Sequence, residues 1–221
     1  VLLSCSNSHY CVVYPPPLSE NLREVASLLI ETAFDYIDQP IKEHSENVAN
    51  LSVSISAELG LTDDQINIVW AAGMLHDIGK SKIPREILNN PHHLSYNERW
   101  IISQHSEEGY NLLKTAPCFL GSIIPEVVLQ YHERLDGSGY PWHLKGSQIL
   151  QESLIVSLAD SVVAMSECRV YRPALNQDAI IREVTQKSGS LYDPNVVEAY
   201  LRFLDKSAYQ LNSISHRQAL H

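Results

Sequence analysis

From residue 18 onward, apolar positions recur at helical spacing almost throughout the chain. The stretch "SENLREVASLLIETAFDYI" (19–37) reads as a helix stopped by Pro40, and "IKEHSENVANLSVSISAEL" (41–59) as the next, ending at Gly60 in a C-terminal capping position. Thr62 and Gln65 form a capping box for a helix running toward Leu75, and Ser95 and Glu98 another for "YNERWIISQHSEEGYNLL" (96–113). A short apolar helix, "PEVVLQYHE", leads into the Gly-rich loop "DGSGYPWHLKGS". The apolar helix "ESLIVSLADSVVAMS" follows, then two amphipathic helices at about 177–187 and 195–206. No alternating strand pattern recurs after residue 18, and there is no internal repeat. The expected fold is all-α.

Residues 1–17 differ in character. They hold the β-formers Val12, Val13 and Tyr14 and end in Pro15-Pro16-Pro17, a stiff punctuation. They read as an N-terminal segment or a linker from an upstream region. A leading helix over 18–39, a main helical domain over 40–210 and a tail over 211–221 complete the expected organisation.

Charge narrows the partners. The 221 residues carry a formal net charge of −10, whereas a nucleic-acid binder normally shows a basic footprint. A nucleic acid polymer is therefore not expected, and an anionic substrate would need positive charge supplied locally. Cys5, Cys11, Cys118 and Cys168 show no CxxC spacing, which argues against a zinc ribbon or disulfide framework and suits a cytoplasmic location. No apolar run approaches the roughly 20 residues of a membrane helix, so no membrane partner is expected. The opening residues lack the basic start of a signal peptide.

Candidate chemistry centres on "GMLHDIGKSKIP" (73–84), where His76 and Asp77 end an apolar run and Gly79 and Lys80 follow. A buried Asp or His is costly unless something satisfies it, and a bound metal would satisfy both. His44 lies within the second helical pattern, with Val48 and Leu51 one and two turns on. His105 has Gly109 one turn later, leaving room for close approach. His132 ends a short apolar helix, and Asp160 sits in "LIVSLADSVVAM", where a carboxylate needs a strong partner. Taken singly, each is a histidine or aspartate satisfied by its own surroundings. Four histidines and two aspartates on several segments are harder to explain separately.

"HDIGK" (76–80), "QHSEEG" (104–109), "HERLDGSGYP" (132–141), "LAD" (158–160) and "RVYRP" (169–173) occur in an order and spacing that resemble the HD-GYP family. The resemblance covers roughly residues 40–205. It implies an HD-superfamily helical bundle with a short N-terminal extension, acting as a metal-dependent phosphodiesterase on cyclic di-GMP. The product would be linear pGpG or, after a further cleavage, GMP. Carried over, the metal ligands fall on His44, His76, Asp77, His105, His132 and Asp160, with Asp77 bridging two ions. Asp77 and Lys80 take the catalytic positions, while Lys80, Arg169, Arg172 and Tyr140 take the substrate-binding ones. The resemblance also associates the GYP loop with contacts to diguanylate cyclase domains. From composition alone, that loop is equally a structural turn.

Two departures stand out. Many members carry two adjacent histidines where this chain has Tyr131-His132, and a neutral phenol is a poor ligand. Members with three metals carry a Glu four residues before the His44 position, where this chain has Pro40. Two divalent ions are therefore expected. Mixed His and carboxylate ligation without thiolate suits iron or manganese. His9, His92, His93, His143, His216 and His221 take no family role and read as surface residues. Two rivals remain: a degenerate member that binds cyclic di-GMP or a partner protein without turnover, and an enzyme acting on another cyclic dinucleotide.

Overall fold

The computed structural model describes residues 39–168 and 173–218, with side chains over 41–168 and 173–207. The N-terminal segment and nearly all of the predicted leading helix lie outside the described residues, as do Arg169 and Arg172. Within them the chain is helical, and the one strand-like feature is an isolated bridge between Ser188 and Tyr192.

Helix α1 spans Gln39–Glu58 and therefore begins one residue before Pro40. A proline fits the first turn of a helix because the amide it lacks would have no intrahelical partner there. The helix ends in a Schellman closure, in which Leu61 N–H reaches Ser56 O and Gly60 N–H reaches Ala57 O, both at 3.1 Å. Gly60 takes a φ of 72°, the left-handed shape that glycine adopts freely.

Helix α2 (Asp63–Leu75) opens on the expected reciprocal capping box, with Gln65 N–H on Thr62 Oγ1 and Thr62 N–H on Gln65 Oε1. It is buried over most of its length and lies close to α1: a Cβ on Gly73 would meet Ala49 Cα at 2.8 Å. A 3-10 segment, Ile78–Lys82, follows directly, and a short α3 (Arg85–Leu88) leads to α4 (Tyr96–Ser103).

The single helix expected over 96–113 is divided, because α4 stops at Ser103 and α5 runs His105–Lys114. The cause is local. The Ile102 carbonyl would accept the next amide of a continuous helix, but His105 Nδ1 donates to it at 2.6 Å.

Helix α6 (Ile124–Gln130) ends before the Gly-rich loop, so His132 sits just past the helix rather than in it. Helices α7 (Gln151–Ser166), α8 (Gln177–Gln186) and α9 (Pro194–Gln218) complete the bundle, and α9 runs well beyond the predicted residue 206. The core lies between α1, α2, α6 and α7, with α8 and α9 closing one side. Leu75, Ile155 and Leu158 are among its fully buried side chains. The all-α expectation holds among the described residues.

Candidate metal centre

The six expected ligands come from five segments and meet at one place in the bundle. His44 projects from α1, His76 and Asp77 from the end of α2, His105 from the start of α5, and Asp160 from α7. His132 follows the end of α6. Two glycines bring the segments together. A Cβ on Gly79 would lie 2.0 Å from His105 O and 2.5 Å from Gly109 N, so only glycine lets the 3-10 segment sit on α5.

The chemistry of the imidazoles is set by their second nitrogens. His76 Nδ1 donates to Gly73 O at 2.6 Å, and since a carbonyl can only accept, the lone pair of the neutral ring lies on Nε2. That Nε2 is buried without a hydrogen-bond partner, 3.4 Å from Asp77 Oδ2. An orphaned buried lone pair beside a carboxylate fits a cation-binding position. His105 is fixed in the same way by Ile102 O, which leaves its Nε2 facing inward.

Asp77 divides the site into two groups. Its Oδ2 faces His76 and Lys80, and the ligand atoms of His44, His76 and Asp77 all lie within 4.8 Å of one another. Nearby, His44 Nε2 is 3.1 Å from Asp160 Oδ1. On the other side, Asp77 Oδ1 is 3.7 Å from His105 Nε2 and 3.3 Å from the Tyr131 hydroxyl. His132 Nε2 stands 3.2 Å from His105 Nε2. Two ligands at right angles around an ion about 2.1 Å away would lie about 3 Å apart. The His44, His76 and Asp77 group thus fits a divalent metal, and the other oxygen of Asp77 faces a second set of nitrogens.

Protonation follows from burial and charge. Burial alone would favour a neutral Asp77, but Lys80, His76 and His105 hold its carboxyl well below the usual range. Asp160 is likewise kept ionised against its burial by His44, His76 and His132. Burial pushes His105 down to about 4 and His132 well below its ordinary value, so both rings are neutral and ready to ligate. His44 goes the other way. Burial lowers it, but Asp160 at one nitrogen and Glu167 at the other outweigh that and raise it to about 9. Tyr131 is pushed well above the ordinary phenol range by burial, then by Asp77 and Asp160.

Lys80, Tyr131 and Tyr140 all lie in or beside the centre. Lys80 does not project free toward a substrate: its Nζ lies 2.6 Å from Asp77 Oδ2. Tyr131 is inside the site and 1% exposed, with its hydroxyl 2.5 Å from His105 Nε2. Tyr140 is half-buried and lies against the His132 ring at a centroid distance of 4.6 Å. His92, His93 and His143 are exposed, as expected of surface residues. His9 and His221 lie outside the described residues, and so does the His216 side chain.

Two glutamates escaped the sequence reading. Glu167 accepts from His44 Nδ1 at 3.0 and 3.2 Å, and its spacing of seven from Asp160 on α7, two helical turns, was the available signal. Glu133 is buried and accepts from Trp142 N–H at 2.7 Å and Leu144 N–H at 3.0 Å, which pins the GYP loop beside His132. Its signal was weaker, an acid directly before a Gly-rich loop.

A family model described as HD domain matches residues 27–196. The chain is 38% identical over 179 residues to a cyclic di-GMP phosphodiesterase of Thermotoga maritima, covering 81% of this chain and 48% of that protein. It is 34% identical over 185 residues to the cyclic di-GMP phosphodiesterase response regulator RpfG of Xanthomonas campestris pv. campestris, covering 84% and 49%. The chain therefore spans about half the length of these curated relatives. Among solved structures, Bd1817, an HDG"Y"P protein from Bdellovibrio bacteriovorus, matches with a TM-score of 0.63 at 14% identity, covering 83% of this chain and 63% of that one. A likeness at that identity speaks for the fold.

Proposed function

The chain belongs to the HD domain family, and from that premise we propose that it is a metal-dependent phosphodiesterase opening cyclic di-GMP to linear pGpG. One observation carries the reading above the others: the Asp77 carboxylate turns one oxygen toward His76 and the other toward His105. A carboxylate placed between two groups of nitrogen ligands is suited to bridging two ions. The names of the relatives support the substrate class, and the DGSGYP loop supports the HD-GYP branch.

In this reading His44, His76, Asp77 and Asp160 hold one ion, and Asp77, His105 and His132 hold the other. Iron or manganese suits the mixed nitrogen and oxygen donors. When bound, such a pair polarises a phosphate oxygen and activates water for in-line attack. Water adds to phosphorus, the bond to the 3′ oxygen breaks, and that oxygen leaves with a proton. Lys80 would leave Asp77 for the phosphate as that carboxylate turns to its ions. Arg169 and Arg172, three residues apart, would take the phosphoryl oxygens as a charge-assisted pair. Tyr140, against His132, would face the substrate at the mouth of the site. Among the described residues no helix is long and apolar enough to cross a membrane.

Tyr131 favours a second reading, a protein that binds the dinucleotide without turnover, because a phenol stands between Asp77 and His105 where the resemblance to the HD-GYP family implies an imidazole. The experiment is product chromatography of protein loaded anaerobically with iron or manganese and given cyclic di-GMP. Release of pGpG supports the enzyme. Tight binding with no linear product would establish the second reading in its place.

A further inference from the structure

We infer that Glu167 is the positioning residue of the metal centre, holding the His44 ring by Nδ1 so that Nε2 is presented to the ion. Both Glu167 oxygens straddle that nitrogen, at 3.0 and 3.2 Å, while the opposite nitrogen lies 3.1 Å from Asp160 Oδ1. One helix therefore grips the ring at both ends, through side chains two turns apart on the same face. Their bases are fixed. Asp160 lies within α7, and the Glu167 backbone caps that helix by donating to Val163 O at 3.2 Å.

The arrangement does more than a surface ion pair would. The His44 side chain is only 10% exposed, so its ring cannot turn to find water as an alternative partner. With Nδ1–H committed to a carboxylate, a neutral ring carries its lone pair on Nε2, directed at Asp160 and the ligand atoms of His76 and Asp77. A carboxylate behind a ligating imidazole fixes its tautomer and orientation and strengthens it as a donor. His76 and His105 are held by backbone carbonyls, which supply orientation without charge. Among the described residues that ligate in this reading, His44 alone has a carboxylate on its outer nitrogen. The ion held by His44 should therefore be the more firmly retained of the two.

The inference rests on His44 being a ligand, and the test separates the two claims. Protein loaded with manganese is mixed with excess chelator, and the loss of each ion is followed in time. Dissociation from the loaded protein is the readout because it starts from the ligated ring and is unaffected by proton competition in the empty site. Glu167→Ala should release the His44-held ion about 10–100-fold faster and leave the other phase unchanged. Glu167→Gln, which keeps an acceptor oxygen but not the charge, should fall between. His44→Ala identifies the phase by abolishing it. If His44→Ala binds and releases manganese as the parent does, the ligand assignment fails and the inference with it. If His44→Ala loses one phase but Glu167→Ala keeps the parent rates, only the role of Glu167 is overturned. Equal acceleration of both phases, with a lower melting temperature of the metal-free variant, would show a structural role and overturn it as well.

Discussion

The Tyr131 hydroxyl lies 3.3 Å from Asp77 Oδ1 and 2.5 Å from His105 Nε2, in the fully buried centre of the site. A phenol has one hydrogen, so it donates to only one of these acceptors at a time. His132 Nε2 also stands 3.2 Å from His105 Nε2. So many acceptors around so few hydrogens makes this half of the site satisfiable by a cation and crowded without one. Burial and the two aspartates keep the phenol protonated, which makes Tyr131 a weaker partner for that cation than an imidazole.

Tyr131→His should therefore raise the affinity of the ion shared by Asp77, His105 and His132. Manganese titration of the metal-free proteins should show two unequal affinities in the parent and a narrower gap in the variant. Equal affinities in both proteins would show that the hydroxyl ligates as well as an imidazole does.

Asp77→Ala removes the one group that both halves share. Metal analysis should find both ions lost or reduced to traces, and hydrolysis abolished. Lys80 also loses the carboxylate 2.6 Å from its ammonium, so the variant tests the bridge and not Lys80 alone. Retention of two ions would remove the basis for a dinuclear site.

The metal-free protein should be most stable near pH 6.5. His44 is raised to about 9, so its contribution is complete below its unfolded value of 6.5 and is lost as pH rises through 9. His105 is lowered to about 4, so its contribution is complete above 6.5 and is lost as pH falls through 4. Each amounts to at most on the order of 3 kcal/mol. Melting temperatures across this range check the maximum, and a steady rise from pH 6.5 to 9 would contradict the His44 assignment. Metal uptake near pH 7.5 should release about one proton from His44, measurable with an indicator dye in weak buffer.

Gly79→Ala places a methyl group 2.0 Å from His105 O, against backbone that has no side-chain freedom to yield. The 3-10 segment must lift from α5, carrying Asp77 away from His105. The expected result is a loss of metal at the His105 side and a melting temperature lowered by several degrees. Gly60→Ala is the control, because it strains only a helix end with open space around it.

Glu133→Gln should loosen the GYP loop without emptying the metal centre. The carboxylate holds Trp142 N–H and Leu144 N–H, and charge-assisted bonds of this kind contribute about 1.5–3 kcal/mol each. An amide can keep one as an acceptor but not both equally. Faster proteolysis within 136–147 at unchanged metal content is the expected outcome. Unchanged proteolysis would place the loop's support elsewhere.

The sequence by itself determined the helical class, the caps and the types of residue available to the site. Thr62 with Gln65, Ser95 with Glu98, and Gly60 act within a few residues of themselves, so the chain needs no tertiary contact to declare them. The resemblance to known motifs then named the candidate ligands, which the fold brings together from five segments. Only the tertiary structure decided which atoms face one another. It set Lys80 on Asp77, the Tyr131 hydroxyl between Asp77 and His105, and Glu167 behind a ring 123 residues away. It also ended α4 at Ser103, because His105 takes the Ile102 carbonyl once its Nε2 is drawn into the site. Such relationships depend on the rotation and spacing of helices packed from distant parts of the chain. A helical period fixes the face a residue occupies, but close packing against other helices fixes what that face meets.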